Sequence, residues 1–283
     1  MSAEQSVIHD IGYQRYAGVR LGRWYAVRSL YLHALRTAFG LGRSAKAKIF
    51  PWFVVAVVMV VASVVTAVRS QLGEVVLTYP EFSNSVSFLI ILFCAAVAPE
   101  LVSRDLRSGV LPLYFSRPLS RYDYALSKLA GLITAVWLVL AAPLLLMFIG
   151  GAFSVDGLRA VWDEFLDFLP GLGFAAVYAI LFASISVLVA SLASRRAVAA
   201  AVVVATFLVT TPIVGVLGIA GGDATQLAGV ASPLTMVQGV GAWLFDTDFF
   251  DIGPYGPTYG LATAFTAGLC TLLLLARYRK VAQ

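Results

Sequence analysis

The sequence predicts an all-α, polytopic integral membrane protein with six transmembrane helices. Three observations predict it. Hydrophobic residues make up 60% of the chain and charged residues only 12%, where soluble domains average about 25% charged. Six apolar runs come near the roughly 20 residues that a helix needs to cross the hydrocarbon core. The basic residues gather in alternate connections between those runs, the signature of a chain that crosses repeatedly.

Residues 1–48 are expected to form an N-terminal region that is polar to residue 20 and then helical. Trp24, Val27, Leu30, Tyr31, Leu35 and Ala38 recur at three- and four-residue steps, the spacing of a helical stripe. Arg28, His33, Arg36 and Arg43 occupy the remaining circumference, with His33 expected on a solvated face. A basic helix with aromatics on its apolar side suits the plane of the membrane interface. An amphipathic helix packed on the protein itself is the alternative. The first 49 residues hold no apolar core of the kind a secretory signal requires.

Residues 49–280 are expected to form the transmembrane domain, with spans at about 50–68, 86–101, 129–152, 170–192, 197–219 and 257–276. Pro51 fits the first turn of the first span, where no intrahelical N–H bond is lost. Arg69 to Ser85 reads as a short polar loop. Pro99 removes a backbone bond beside Glu100 and predicts a bend at the end of the second span; Pro143 predicts a kink in the third. Ser154 to Leu169 carries Asp156, Asp163, Glu164 and Asp167 with Trp162, Phe165 and Phe168 between them, which predicts a short interfacial helix.

In the fourth span Ala175, Ala179 and Ala183, then Ser186, Ala190 and Ser194, recur every four residues, a step that lets helices approach closely in lipid. Packing is preferred there over a polar path lined by Ser184, Ser186 and Ser191. Arg195 and Arg196 turn the chain into the fifth span. Residues 220–256 hold no clear span. The segment Thr225–Phe245 contains Pro233, Gln238 and three glycines, which predicts re-entrant or interfacial helices before the sixth span rather than a seventh crossing.

Six spans put both termini on one side. Eighteen of the twenty basic residues then share that side, and only Arg69 and Arg159 lie opposite. The positive-inside rule therefore predicts cytoplasmic termini in a multi-pass protein of the cell membrane. Ten of the fifteen acidic residues fall in the external connections. This partition accounts for the net charge of +5 by topology and attraction to anionic lipid, without nucleic acid.

Several chemistries find no support. Cys94 and Cys270 both lie in apolar runs and read as small core residues. Asp246, Asp248 and Asp251 lack the glycine and terminal glutamate of an EF-hand and read as a solvated acidic patch. Two histidines and two cysteines give no zinc spacing, and the serines of the fourth span have no histidine partner for nucleophilic catalysis. No catalytic, metal-binding or cofactor-binding residue is expected, and the chain is not expected to be an enzyme.

The polar stretch Pro99–Lys128 stands out inside this apolar chain. Glu100 and Arg104 are four apart in the favoured order for a helical ion pair, with Arg107 on the same face. Gly109 and Pro112 interrupt the helix. Val110 to Phe115 is apolar in a segment predicted to lie outside the membrane, so it requires cover. Ser120 followed by Asp123 resembles a capping box that would start the helix leading through Tyr122, Tyr124 and Lys128 into the third span.

Glu100-Leu-Val-Ser-Arg104, Arg107-Ser-Gly109, Leu113-Tyr-Phe-Ser116-Arg117-Pro118-Leu-Ser120-Arg121 and Tyr124 to Lys128 resemble the cytoplasmic motif of permease subunits of the type-2 ATP-binding-cassette (ABC-2) transporter family. The resemblance extends over about residues 21–280 and implies six spans, a basic interfacial helix before the first, and partly re-entrant helices before the sixth. It implies that Pro99–Lys128 carries a coupling helix seated in a groove of the ATPase. Val110, Leu111, Leu113, Tyr114, Phe115, Ser116, Arg117, Pro118, Ser120 and Arg121 would then contact the partner. Glu100, Arg104 and Arg107 would brace it, within a motif that Gly109 and Lys128 complete.

The ATPase is not part of this chain. Its phosphate loop needs G-x-x-x-x-G-K-[ST], whereas Lys46, Lys48, Lys128 and Lys280, the only lysines, follow Ala, Ala, Ser and Arg. ATP and Mg would therefore be bound by a separate cytoplasmic ATPase, in two copies by the family pattern, beside a second permease copy or paralogue. The uncharged spans favour export of an amphipathic, drug-like or lipid-like molecule. A maturation transporter delivering a metal or sulfur species to an extracytoplasmic accessory protein is one alternative. A non-transporting scaffold that recruits a cytoplasmic protein is another.

Overall fold

The computed structural model describes residues 21–107, 114, 119–193, 195–247 and 251–280, and every regular element among them is helical. Six helical stretches are long and apolar enough to cross a membrane: Ala45–Leu72, Ser87–Asp105, Arg121–Ser154, Leu158–Leu192, Arg196–Gly218 and Gly253–Arg279. The second and fourth bury 67% and 61% of their apolar windows, against 17–22% for the first, fifth and sixth. The second and fourth are thus the protein-packed centre, and the others offer most of their surface to lipid.

Helix α1 (Gly22–Ala38) packs Leu30, Ala34 and Ala38 inward. It lies so close to the third span that a Cβ at Gly131 would stand 2.6 Å from the Ala34 methyl. The far side leaves Trp24 84% exposed, so this helix has one protein-packed face and one free aromatic face. Its end is closed by Gly40 at φ +67°. The Gly40 N–H donates to Thr37 at 3.0 Å and the Leu41 N–H to Arg36 at 2.8 Å, the paired bonds of a left-handed helix end.

Helix α2 (Ala45–Leu72) begins well before the expected span, so Pro51 falls in its second turn rather than its first. Pro51 has no N–H for the Ala47 carbonyl. The α1–α2 turn closes over that carbonyl, and a Cβ at Gly40 would lie 2.7 Å from its oxygen.

The expected polar loop from Arg69 to Ser85 instead contains a helix, α3 (Tyr79–Ser85), with Tyr79, Pro80, Phe82, Ser83 and Asn84 buried. Thr78 and Glu81 cap it reciprocally: the Thr78 N–H donates to the Glu81 carboxylate at 2.7 Å and the Glu81 N–H to the Thr78 hydroxyl at 3.4 Å. The T-x-x-E signal is present in the sequence. The apolar surface that receives the helix is visible only in the fold.

Helix α4 (Ser87–Leu101) ends at Val102, whose φ of −121° and ψ of −56° leave the helical path. Helix α5 (Ser103–Arg107) continues beyond it. The break lies just past Pro99, where a bend is expected.

Helices α6 (Arg121–Ser154) and α7 (Leu158–Leu192) are each about 50 Å long at 1.5 Å per residue, well over the roughly 30 Å of the hydrocarbon core. The expected interfacial helix at 154–169 is therefore corrected: residues 158–169 are the first turns of α7 and pass through Pro170 without a break. Aromatic packing holds them, with Phe148 stacked on Phe168 at 5.0 Å and Tyr79 edge-on to Phe168 at 5.6 Å. The alanines at 175, 179 and 183 are fully buried. The hydroxyls of Ser184 and Ser191 bond carbonyls of their own helix at 2.7 and 2.6 Å, so these serines pack rather than line a path.

The fifth span is two helices, α8 (Arg196–Leu208) and α9 (Thr211–Gly218). At the break the Thr210 hydroxyl donates to Ser232 at 2.9 Å. A short α10 (Asp223–Leu227), a 3-10 turn (Ala228–Ala231) and α11 (Pro233–Phe245) precede α12 (Gly256–Lys280). At 13 residues α11 spans about 20 Å, too short to cross. It packs on α7 and α12 through its glycines: a Cβ at Gly241 would meet the Phe174 ring at 2.8 Å.

Candidate functional site

The charged stretch emerges between α4 and α6, and the described residues show how its two ends are tied down. Glu100, the last acid before the stretch, is 10% exposed and pairs with Arg43 from the α1–α2 turn and with Arg196 from the start of α8. The Arg43 contact is an ion pair without hydrogen-bond geometry. Arg104 is therefore not the partner that the four-residue spacing suggested. The helix breaks at Val102, between the two residues, so their shared face is lost. Arg104 and Arg107 sit in α5, with Arg104 exposed.

The far end is anchored by a second cluster. Asp105 accepts from the Tyr124 hydroxyl at 2.7 Å and pairs with Lys128 at 2.8 Å. Lys128 is 3% exposed and its ammonium lies 5.4 Å from the Tyr124 ring centre. Tyr114 and Tyr278 flank the Tyr124 ring at 5.5 and 5.3 Å. One aromatic column thus joins the charged stretch, the third span and the end of the sixth. The Ser103 hydroxyl donates to the Ala190 carbonyl at 2.7 Å and fastens α5 to the fourth span.

The expected capping box starts α6. The Ser120 N–H donates to Asp123 at 3.0 Å and the Asp123 N–H donates back to the Ser120 hydroxyl at 3.1 Å. Asp123 also takes two 2.8 Å bonds from Arg23 of α1, and these hold the exposed guanidinium above its ordinary pKa. Arg121 donates to the Arg279 carbonyl at 2.7 Å. Gly109, Val110, Leu111, Leu113, Phe115, Ser116, Arg117 and Pro118 lie outside the described residues, as does the side chain of Arg107.

Between α1 and this stretch lies a cleft of about 270 Å³ lined by Tyr25, Leu30, His33, Tyr114 and Leu119. His33 is exposed at its edge. Partial burial and then the Lys128 charge hold its pKa below the ordinary histidine value.

The opposite end of the bundle has its own ion pair. Arg69 at the end of α2 donates twice to Glu164 of α7, at 2.8 and 2.5 Å, and the Tyr79 hydroxyl donates to the same carboxylate. Burial and that bond raise the Tyr79 pKa. Gly151 of α6 admits the pair, because a Cβ there would stand 2.8 Å from both Arg69 Nη1 and Glu164 Oε1. Glu164 is thus a buried structural acid.

Sequence spacing missed Arg43, Arg196, Asp105 and the Arg69–Glu164 pair, all of which join residues far apart in the chain. One signal was present: Glu100 and Lys128 are charges at the edges of apolar runs, where an unpaired charge is costly. Among the described residues no group of three His, Cys, Asp or Glu side chains could hold a metal ion. Cys94 is buried, Cys270 is partly so, and both are free.

Comparison with curated proteins returns no match. A family model described as ABC-2 family transporter protein matches residues 78–238, more than half of the chain. The matched region runs from the cap of α3 through the clamped ends of the charged stretch and into α11. With its six membrane-spanning-capable helices, the chain belongs to the ABC-2 family of transporter proteins.

Proposed function

We propose that this permease subunit exports an amphipathic, drug-like or lipid-like molecule, driven by a separate ATPase that docks on residues 103–128. The observation that carries the docking role is the pair of clamps at the ends of that stretch. Glu100 binds arginines from two other elements, and Asp105 binds Lys128 and Tyr124. A segment fastened at both ends to the second, third, fifth and sixth spans transmits a push from a bound protein to the bundle, whereas a loosely tethered loop would absorb it. ATP and Mg would reside on the partner.

The distribution of charge supports cytoplasmic placement of this end. Arg23, Arg43, Arg121, Lys128, Arg196 and Arg279 gather there, while the opposite end holds Arg69, neutralised by Glu164, and Arg159 in the first turn of α7. By the positive-inside rule the basic end faces the cytoplasm. The dense basic character also suits anionic lipid headgroups, and the largely unpacked first, fifth and sixth spans leave room for a second permease copy or paralogue.

The test is co-purification of the ATPase with the full-length permease. Arg117→Glu and Leu113→Glu are expected to abolish the complex while leaving the permease folded. An intact complex with both replacements would sink the docking role. ATP turnover that responds to amphipathic compounds separates a transporter from a passive scaffold.

A further inference from the structure

At the end of the bundle opposite the charged stretch lies a second cavity of about 270 Å³, to which the proposed ATPase coupling gives no role. Leu77, Pro80, Pro170 and Phe245 supply apolar walls, and its polar groups include Arg69, Glu164 and Asp167. The Arg69 charge is cancelled by its two bonds to Glu164, whose carboxylate also takes the Tyr79 hydroxyl. Asp167 is different. It lies three residues after Glu164 on the same side of α7, is exposed, and makes no ion pair among the described residues. The cavity therefore presents one uncompensated negative charge beside apolar walls.

The geometry points to a binding site for a compact amphipathic cation, with its ammonium on Asp167 and its hydrocarbon body against Pro170 and Phe245. An aromatic face adds a modest attraction for the same charge. Size restricts the class, because the volume lies near the lower bound of about 300 Å³ for small-molecule sites. A two-chain lipid is too large, whereas one aromatic ring with a short amine arm fits. A carboxylate ligand would face Asp167 and find Arg69 already engaged. Ten of the chain's fifteen acids fall in the connections predicted for this side, and their field concentrates cations at the mouth. This site needs no ATPase and no direction of transport, so it stands or falls separately from the proposed function.

The test is calorimetric titration of the full-length protein in zwitterionic lipid nanodiscs, with empty nanodiscs as reference. The probes are 2-phenylethylammonium, the neutral 2-phenylethanol and the anionic phenylacetate. The cation is expected to bind roughly tenfold tighter than either of the others, the scale of one partly screened ion pair. Asp167→Asn removes that preference and Asp167→Glu keeps it. Asp156→Asn, an exposed acid that does not line the cavity, leaves it unchanged. Equal affinity for cation and alcohol, or an undiminished preference in Asp167→Asn, overturns the site.

Discussion

Lys128 reaches Asp105 across the gap between the third span and α5, an ion pair of 2.8 Å in which the lysine is 3% exposed. Removing the lysine would take away the buried ammonium beside the Asp105 carboxylate, which also accepts from the Tyr124 hydroxyl. Breaking a buried pair from one side costs about 3–5 kcal/mol. Lys128→Met is therefore expected to lower the melting temperature of the purified protein sharply, and adding Asp105→Asn to recover most of the loss. A Lys128→Met protein that melts with the wild type would show that the pair carries no weight.

The clamp on Glu100 is asymmetric. Arg43 is 23% exposed and Arg196 is 65% exposed. An exposed partner contributes only about 0–1 kcal/mol, so Arg196→Ala should change stability little and Arg43→Ala more. Glu100→Ala should exceed both, because it removes the residue that the two arginines share. Denaturation of the three variants in the same detergent ranks them, and a different order would refute the clamp.

Gly151 and Gly173 make a matched pair of tests. A methyl at 151 would meet Arg69 and Glu164 at 2.8 Å, whereas nothing lies within 4 Å of a Cβ at 173. Gly151→Ala should cost about 1–3 kcal/mol through overpacking. Gly173→Ala should be neutral or stabilising by up to about 1 kcal/mol, from helix propensity. Thermal melts of both variants check the signs.

His33 provides a pH dependence with a definite sign. Its folded pKa lies below the ordinary value of 6.5, through burial and Lys128, so the unfolded chain binds the proton more tightly. The histidine then adds no penalty above the unfolded pKa, and stability falls as pH drops through 6.5 toward the folded value. Arg43, Arg104, Lys128 and Asp105 surround it electrostatically. His33→Gln should flatten the decline in melting temperature between pH 7.5 and 5.5, a window about one unit either side of the ordinary histidine value. An unchanged slope would place the titration elsewhere.

Local signals in the chain proved legible where the causes are local. The Ser120–Asp123 cap and the burial of Ala175, Ala179 and Ala183 follow from spacing alone. So does the failure of 225–245 to cross, because Pro233 opens α11 so late that it holds only 13 residues. The error at 154–169 has a tertiary cause. The run 154–169 looked like a separate interfacial helix because Pro170 and four acids mark a boundary. The packing of Phe168 on Tyr79 and Phe148, with the pairing of Glu164 to Arg69, carries the helix through it.

The sequence by itself determined the class, the six spans and the segregation of charge, because transfer of side chains into hydrocarbon depends on composition and length rather than on neighbours. The tertiary structure alone decided which charges meet. Glu100 had an arginine four residues away, yet it binds Arg43 and Arg196, because the helix breaks at Val102 and tertiary packing brings the α1–α2 turn and the start of α8 against it. Ion pairs at a membrane boundary are selected by proximity in three dimensions, and a one-dimensional spacing reports that proximity only while the helix between the partners continues.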